Sequence, residues 1–126
     1  MARIFILNTT RSVSTKTYDI LRARDHVVVE FSSTEDAERA LAQRTPDLLI
    51  IEAQILDDCV FELLRRLKGG ANPPVVILAP GAICEDRIRG FEAGADDVVH
   101  ESCSLKELAL RAESIIRRCR ERTIGT

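Results

Sequence analysis

A chain of 126 residues that is 45% apolar and 30% charged fits one domain of ordinary size with a core of its own. A formal charge of −2, 4% aromatic residues and no Trp argue against a global pull toward nucleic acid or acidic lipid and against a base-stacking platform. No stretch approaches the roughly 20 apolar residues of a membrane span. The opening Met1-Ala2-Arg3-Ile4-Phe5-Ile6-Leu7 is too short an apolar run for a signal peptide. Cys59, Cys84, Cys103 and Cys119 have neither C-x-x-C nor zinc-finger spacing, which predicts reduced, half-buried thiols in a cytoplasmic protein that has no membrane contact.

In chain order, Ile4-Phe5-Ile6-Leu7 predicts a first strand. Ser12 to Arg24 follows as the weakest helix, being rich in Ser, Thr and Val. Val27-Val28-Val29 predicts a second strand, and Ser32 with Glu35 fits a capping box opening a helix to about Arg44. Pro46 stops that helix ahead of the strand Leu48-Leu49-Ile50-Ile51. Val60, Leu63, Leu64 and Leu67 recur at helical spacing, ended by Gly69-Gly70. Val75-Val76-Ile77-Leu78 is a fourth strand; Ile83, Ile88 and Phe91 suggest a helix ended by Gly94; Val98-Val99 is a weaker fifth strand. Ser104 and Glu107 form a second capping box, followed by a stripe of Leu105, Leu108, Ala109, Ala112, Ile115, Ile116 and Cys119. The domain is read as residues 1–121, with 122–126 as a linker or free tail.

Strand and helix thus alternate five times, which predicts an α/β domain with a parallel sheet and right-handed crossovers. Several strand runs are apolar without alternation, as in strands covered on both faces. In open α/β sheets the functional site lies at the carboxyl ends of the strands. Those ends are Asn8-Thr9-Thr10, Phe31-Ser32, Glu52-Ala53, Ala79-Pro80 and His100-Glu101.

Pro46-Asp47-Leu48-Leu49-Ile50-Ile51-Glu52 and Phe61-Glu62-Leu63-Leu64-Arg65-Arg66-Leu67-Lys68 resemble the third strand and following helix of response-regulator receiver domains. Asp86-Arg87-Ile88-Arg89-Gly90-Phe91-Glu92-Ala93-Gly94-Ala95-Asp96-Asp97, then Glu107-Leu108 through Arg111, is similar to the OmpR/PhoB-like branch. The resemblance spans nearly the whole chain. It implies a flavodoxin-like (βα)5 doubly wound sheet of five parallel strands in the order 2-1-3-4-5. It also implies a non-enzymatic two-component signalling module, with a winged-helix DNA-binding effector beyond it and no DNA contact of its own.

Carried over one residue at a time, the reactive centre fails. The acidic pair that binds Mg²⁺ in the family falls on Asn8 and Thr9, and the phosphoacceptor aspartate on Glu52. The hydroxyl residue after the fourth strand falls on Ala79, the switch aromatic on Val98, and the Lys-Pro pair on Glu101 and Ser102. Phosphoryl transfer to a carboxylate needs a divalent cation and neutralising positive charge, so the chain is expected to act without phosphorylation and without a cofactor. Glu52 is a phosphomimic, a remnant in a repurposed pocket, or a side chain pointing to solvent. A pairing of Glu52 with Glu101 would raise one pKa. Asp57 or Asp58 as a substitute acceptor, a zinc-type site of His100, Glu101 and Glu52, and a small-ligand pocket opened by Ala79, Val98 and Cys103 are the rival readings.

The resemblance also implies a homodimer through the fourth helix, fifth strand and fifth helix. Arg87, Arg89, Asp96, Asp97 and Arg111 are retained at matching positions there. Exposed charge pairs of this kind set register and partner choice more than affinity.

Overall fold

The computed structural model describes residues 1–9, 16–52, 58–67, 73–79, 84–100 and 103–124, with residues 79, 84–86 and 122–124 described by backbone alone. Strands β1 (Arg3–Asn8), β2 (Val27–Phe31), β3 (Leu48–Glu52), β4 (Val75–Ala79) and β5 (Asp97–His100) alternate with helices α1 (Lys16–Ala23), α2 (Thr34–Gln43), α3 (Asp58–Leu67), α4 (Cys84–Glu92) and α5 (Leu105–Ile124). All strand pairs are parallel and the order is β2-β1-β3-β4-β5, as the resemblance implied.

Successive strand side chains point to opposite faces, and both faces are covered. Phe5, Leu7, Leu49, Ile51, Val75, Ile77 and Val98 pack with Ala37 of α2 and Val60, Phe61, Leu63 and Leu64 of α3. Ile4, Ile6, Val28, Leu48, Ile50, Val76 and Val99 pack with Leu21 of α1 and with Leu108, Ala109, Ala112, Ile115 and Ile116 of α5. Every residue of β3 is buried, which explains why its sequence lacks alternation.

The helix ends differ from the sequence reading in detail. Ser33, not Ser32, caps α2: its hydroxyl accepts from the Asp36 N–H at 3.2 Å. With two serines side by side, only the turn geometry decides which is extended and therefore able to cap. Ser104 does cap α5, accepting from the Glu107 N–H at 3.0 Å. Helix α1 closes on Asp25 in the left-handed region (φ 67°) and α4 on Gly94 (φ 111°), where the Ala95 N–H returns to the Gly90 carbonyl at 3.0 Å. Helix α5 runs on to Ile124, past the boundary drawn at residue 121. Gly69-Gly70 and Ile83 lie outside the described residues.

Two apolar positions of α4 do not enter the core. Ile88 is 55% and Phe91 45% exposed, and Leu105 opens the α5 stripe facing outward. The core side of α4 carries Gly90, where a Cβ would lie 2.8 Å from Val98 Cγ2. Glycine lets the helix approach β5 this closely. Cys59 is exposed rather than half-buried, whereas Cys103 and Cys119 are intermediate.

Candidate functional site at the carboxyl edge of the sheet

Parallel pairing sets Asn8 opposite Glu52, so the ends of β1 and β3 place these side chains together. Asn8 and Glu52 are each 7% exposed and Thr17, in the first turn of α1, is 3% exposed. Glu52 therefore does not point to solvent, which overturns that sequence-based alternative. The chain leaving β1 folds back onto β3: Thr9 donates its N–H to the Glu52 carbonyl at 3.1 Å and its hydroxyl to the same carbonyl at 3.4 Å.

Thr17 hydrogen-bonds the Glu52 carboxyl. The oxygen Oε1 of Glu52 is buried and has no hydrogen-bond partner among the described residues. Burial pushes the Glu52 carboxyl above its ordinary value of 4.5; Thr17 opposes this and the negative charge of Glu30 reinforces it. Glu30 comes from β2, where it pairs with Ile6, and the Asn8 side-chain amide donates to its Oε1 at 3.5 Å. Sequence reasoning named Glu101 as the repelling neighbour and missed Glu30 and Thr17. Glu101 and Asp57 lie outside the described residues.

These donors do not fit the Mg²⁺ that the resemblance implies. Magnesium takes a nearly octahedral oxygen shell with one or two carboxylates. Here burial raises the one carboxyl above its ordinary value, the Asn8 amide donates to Glu30, and the Thr9 hydroxyl donates to a backbone carbonyl, so no acidic pair stands beside Glu52. For the zinc-type reading, no three His, Cys, Asp or Glu side chains among the described residues converge on a metal position.

Further along the edge, Ala79 ends β4 opposite His100, and Val98 is 2% exposed beneath α4. The space near Val98 and Cys103 is a recess of about 290 Å³ lined also by Arg87, His100, Glu107 and Arg111. Charged and apolar side chains share its lining, and the Ala79 side chain, on which the small-ligand reading also rests, lies outside the described residues. Burial pushes the Cys103 thiol up, which disfavours its reactive thiolate.

On the face formed by α4, β5 and α5, Arg111 pairs with Asp97 and Glu107, both at 3.1 Å. The Asp96 carboxylate accepts from the Val75 N–H at 2.7 Å and so pins β5 to the start of β4. Arg89 stacks its guanidinium over the Phe61 ring at 4.5 Å. Arg87 is exposed. Of the charged residues predicted for an interface, Asp96 and Arg89 thus make contacts inside the chain, and Asp97 and Arg111 pair with each other.

The family model described as "Response regulator receiver domain" matches residues 4–113. The transcriptional regulatory protein KdpE of Mycobacterium tuberculosis is 30% identical over 98 residues, covering 78% of this chain and 43% of that protein. The phosphate regulon regulator PhoB of Rhizobium meliloti is 33% identical over 95 residues, covering 73% of this chain and 42% of that protein. The chain thus spans less than half the length of these two relatives. A signal receiver domain of a putative Luxo repressor protein from Vibrio parahaemolyticus superposes with a TM-score of 0.87 over 98% of this chain and 96% of that one at 13% identity, which speaks to the fold.

Proposed function

The chain belongs to the response regulator receiver domain family, and from that premise we propose that it is an atypical receiver of the OmpR/PhoB-like branch that signals without being phosphorylated. The observation that carries this is Glu52. At the end of β3, where the family's acceptor aspartate stands, this carboxyl is buried, has an oxygen without a partner among the described residues, and is pushed above its ordinary value by that burial. A carboxyl that ionises less readily is a weaker nucleophile toward phosphorus, and the described residues beside it bring neither an acidic pair to hold a metal nor a cation to neutralise the developing charge. Asn8 and Thr9 replace the acidic pair, and Ala79, Val98 and Glu101 replace the remaining working positions.

In this reading the domain is non-catalytic and cytoplasmic, and works by association. The relatives named as transcriptional regulators support a winged-helix effector that this domain controls while not touching DNA itself. The face of α4, β5 and α5 supports a homodimer: it carries exposed Ile88, Phe91 and Leu110 beside Asp97 and Arg111. Incubation with acetyl phosphate and Mg²⁺, followed by intact-mass measurement, tests the central claim. No mass change is expected. A gain of one phosphoryl group, on Asp57, Asp58 or Glu52, overturns it.

A further inference from the structure

We propose that the carboxyl edge of β1, β2 and β3 is a proton-binding site: Glu52 carries a proton, and its release to solvent is the event that rearranges this edge. The inference rests on the reading of the domain as one that is not phosphorylated, and it names what regulates the same site instead.

Three observations converge. Glu52 is 7% exposed, and its Oε1 meets no donor among the described residues. A carboxylate oxygen left that way costs the full desolvation of a charge, whereas a neutral acid tolerates it. The described groups turned to this end are Asn8 and Thr9 from the end of β1, Glu30 from β2 and Thr17 from α1. Their charge is negative or zero, so none of them stabilises ionised Glu52 by charge. Leu78, beside Glu52 in β4, is apolar.

The reaction is the dissociation of one carboxylic acid into a carboxylate and a solvated proton. Ionisation places a negative charge on a buried carboxyl, within reach of the exposed Glu30 carboxylate. Three elements meet there: Thr9 is bonded to the Glu52 backbone, Asn8 bridges to Glu30, and Thr17 bonds the carboxyl itself. The ends of β1 and β2 and the first turn of α1 must adjust together, or water must enter.

Carbon-detected NMR titration of the full chain follows the Glu52 carboxyl directly. Its midpoint is expected above the ordinary 4.5, with the amide resonances of Asn8, Thr9 and Thr17 moving at the same midpoint. Glu30→Gln should lower that midpoint. Glu52→Gln should hold the spectrum of the protonated form at all pH values. A Glu52 midpoint in the ordinary carboxyl range, or amides that ignore its titration, overturns the proposal, as does a midpoint lowered by Mg²⁺ alone, which would mark a cation site. The phosphodonor experiment separates the two claims. A phosphoryl gain sinks the underlying reading even if Glu52 titrates high; an ordinary titration with no phosphoryl gain sinks the proton site alone.

Discussion

Two glutamates in this fold carry shifts of opposite sign, and their consequences for stability oppose each other. Glu113 of α5 grips Arg24 with two bonds of 2.7 and 2.8 Å and meets His26 Nε2 at 2.9 Å. Chiefly through the bond to Arg24, its carboxyl is held at about 2. A carboxyl with a lowered folded value contributes stability that is complete above about 4.5 and lost as pH falls toward 2. The pair is partly exposed, so salt should weaken the effect. Urea melts across that window should show Glu113→Gln with a shallower acid loss than the parent chain; parallel curves would remove Glu113 from the account. Glu52 works the other way. A raised folded value means that the native state holds the proton more tightly, so stability declines as pH rises from 4.5 through the folded value. Glu52→Gln should match the parent at pH 4 and exceed it at pH 8 by about 1–3 kcal/mol, the scale of an unmet buried polar group. Equal melting at pH 8 would contradict the burial argument.

At the scale of elements, caps and close contacts decide details that periodicity does not. Ser33→Ala should cost about 1 kcal/mol, while Ser32→Ala should stay within about 0.5 kcal/mol. Thermal melts of the two variants check the assignment, and equal losses would refute it. Gly90 offers a sharper case. Alanine there meets Val98 Cγ2 at 2.8 Å and Ile77 Cδ1 at 3.5 Å, and a buried β-branched neighbour has little rotamer freedom to move aside. Overpacking costs about 1–3 kcal/mol, against roughly 0.5–1 kcal/mol gained by replacing a helical glycine. Gly90→Ala should therefore melt lower, and adding Val98→Ala should return part of the loss, a coupling that a double-mutant cycle measures. The helix α4 was legible from its spacing, but its buried side was not. Ile88 and Phe91 suggested a helix, but periodicity reports a stripe and not which way it faces.

Across the whole molecule, the alternation of strand and helix was legible because β2 to β5 are each flanked by a cap, a Pro or a Gly, and each strand runs only one or two residues past its apolar run. The site was legible by position only. Asn8, Thr9 and Glu52 do meet. Glu30 was invisible because, although β2 was expected beside β1, the register that sets Glu30 opposite Ile6 is a tertiary fact that no local pattern states. The same limit applies to the proposed association, which no local pattern states. Ile88 and Phe91 of α4 and Leu110 of α5 are 55%, 45% and 49% exposed, and large apolar side chains left facing outward are what a contact surface would use. The apolar residues would supply the affinity of a two-fold pair, and the Asp97–Arg111 charges its register. Because Phe91 and Leu110 contribute little to the core, Phe91→Asp or Leu110→Asp should leave the melting temperature of a dilute sample nearly unchanged while shifting sedimentation equilibrium from dimer to monomer. Adding salt to the parent chain should weaken the dimer only slightly, since exposed ion pairs give about 0–1 kcal/mol. A parent chain that stays monomeric at every concentration would refute the dimer. A Phe91→Asp dimer as tight as the parent's would move the interface off this face.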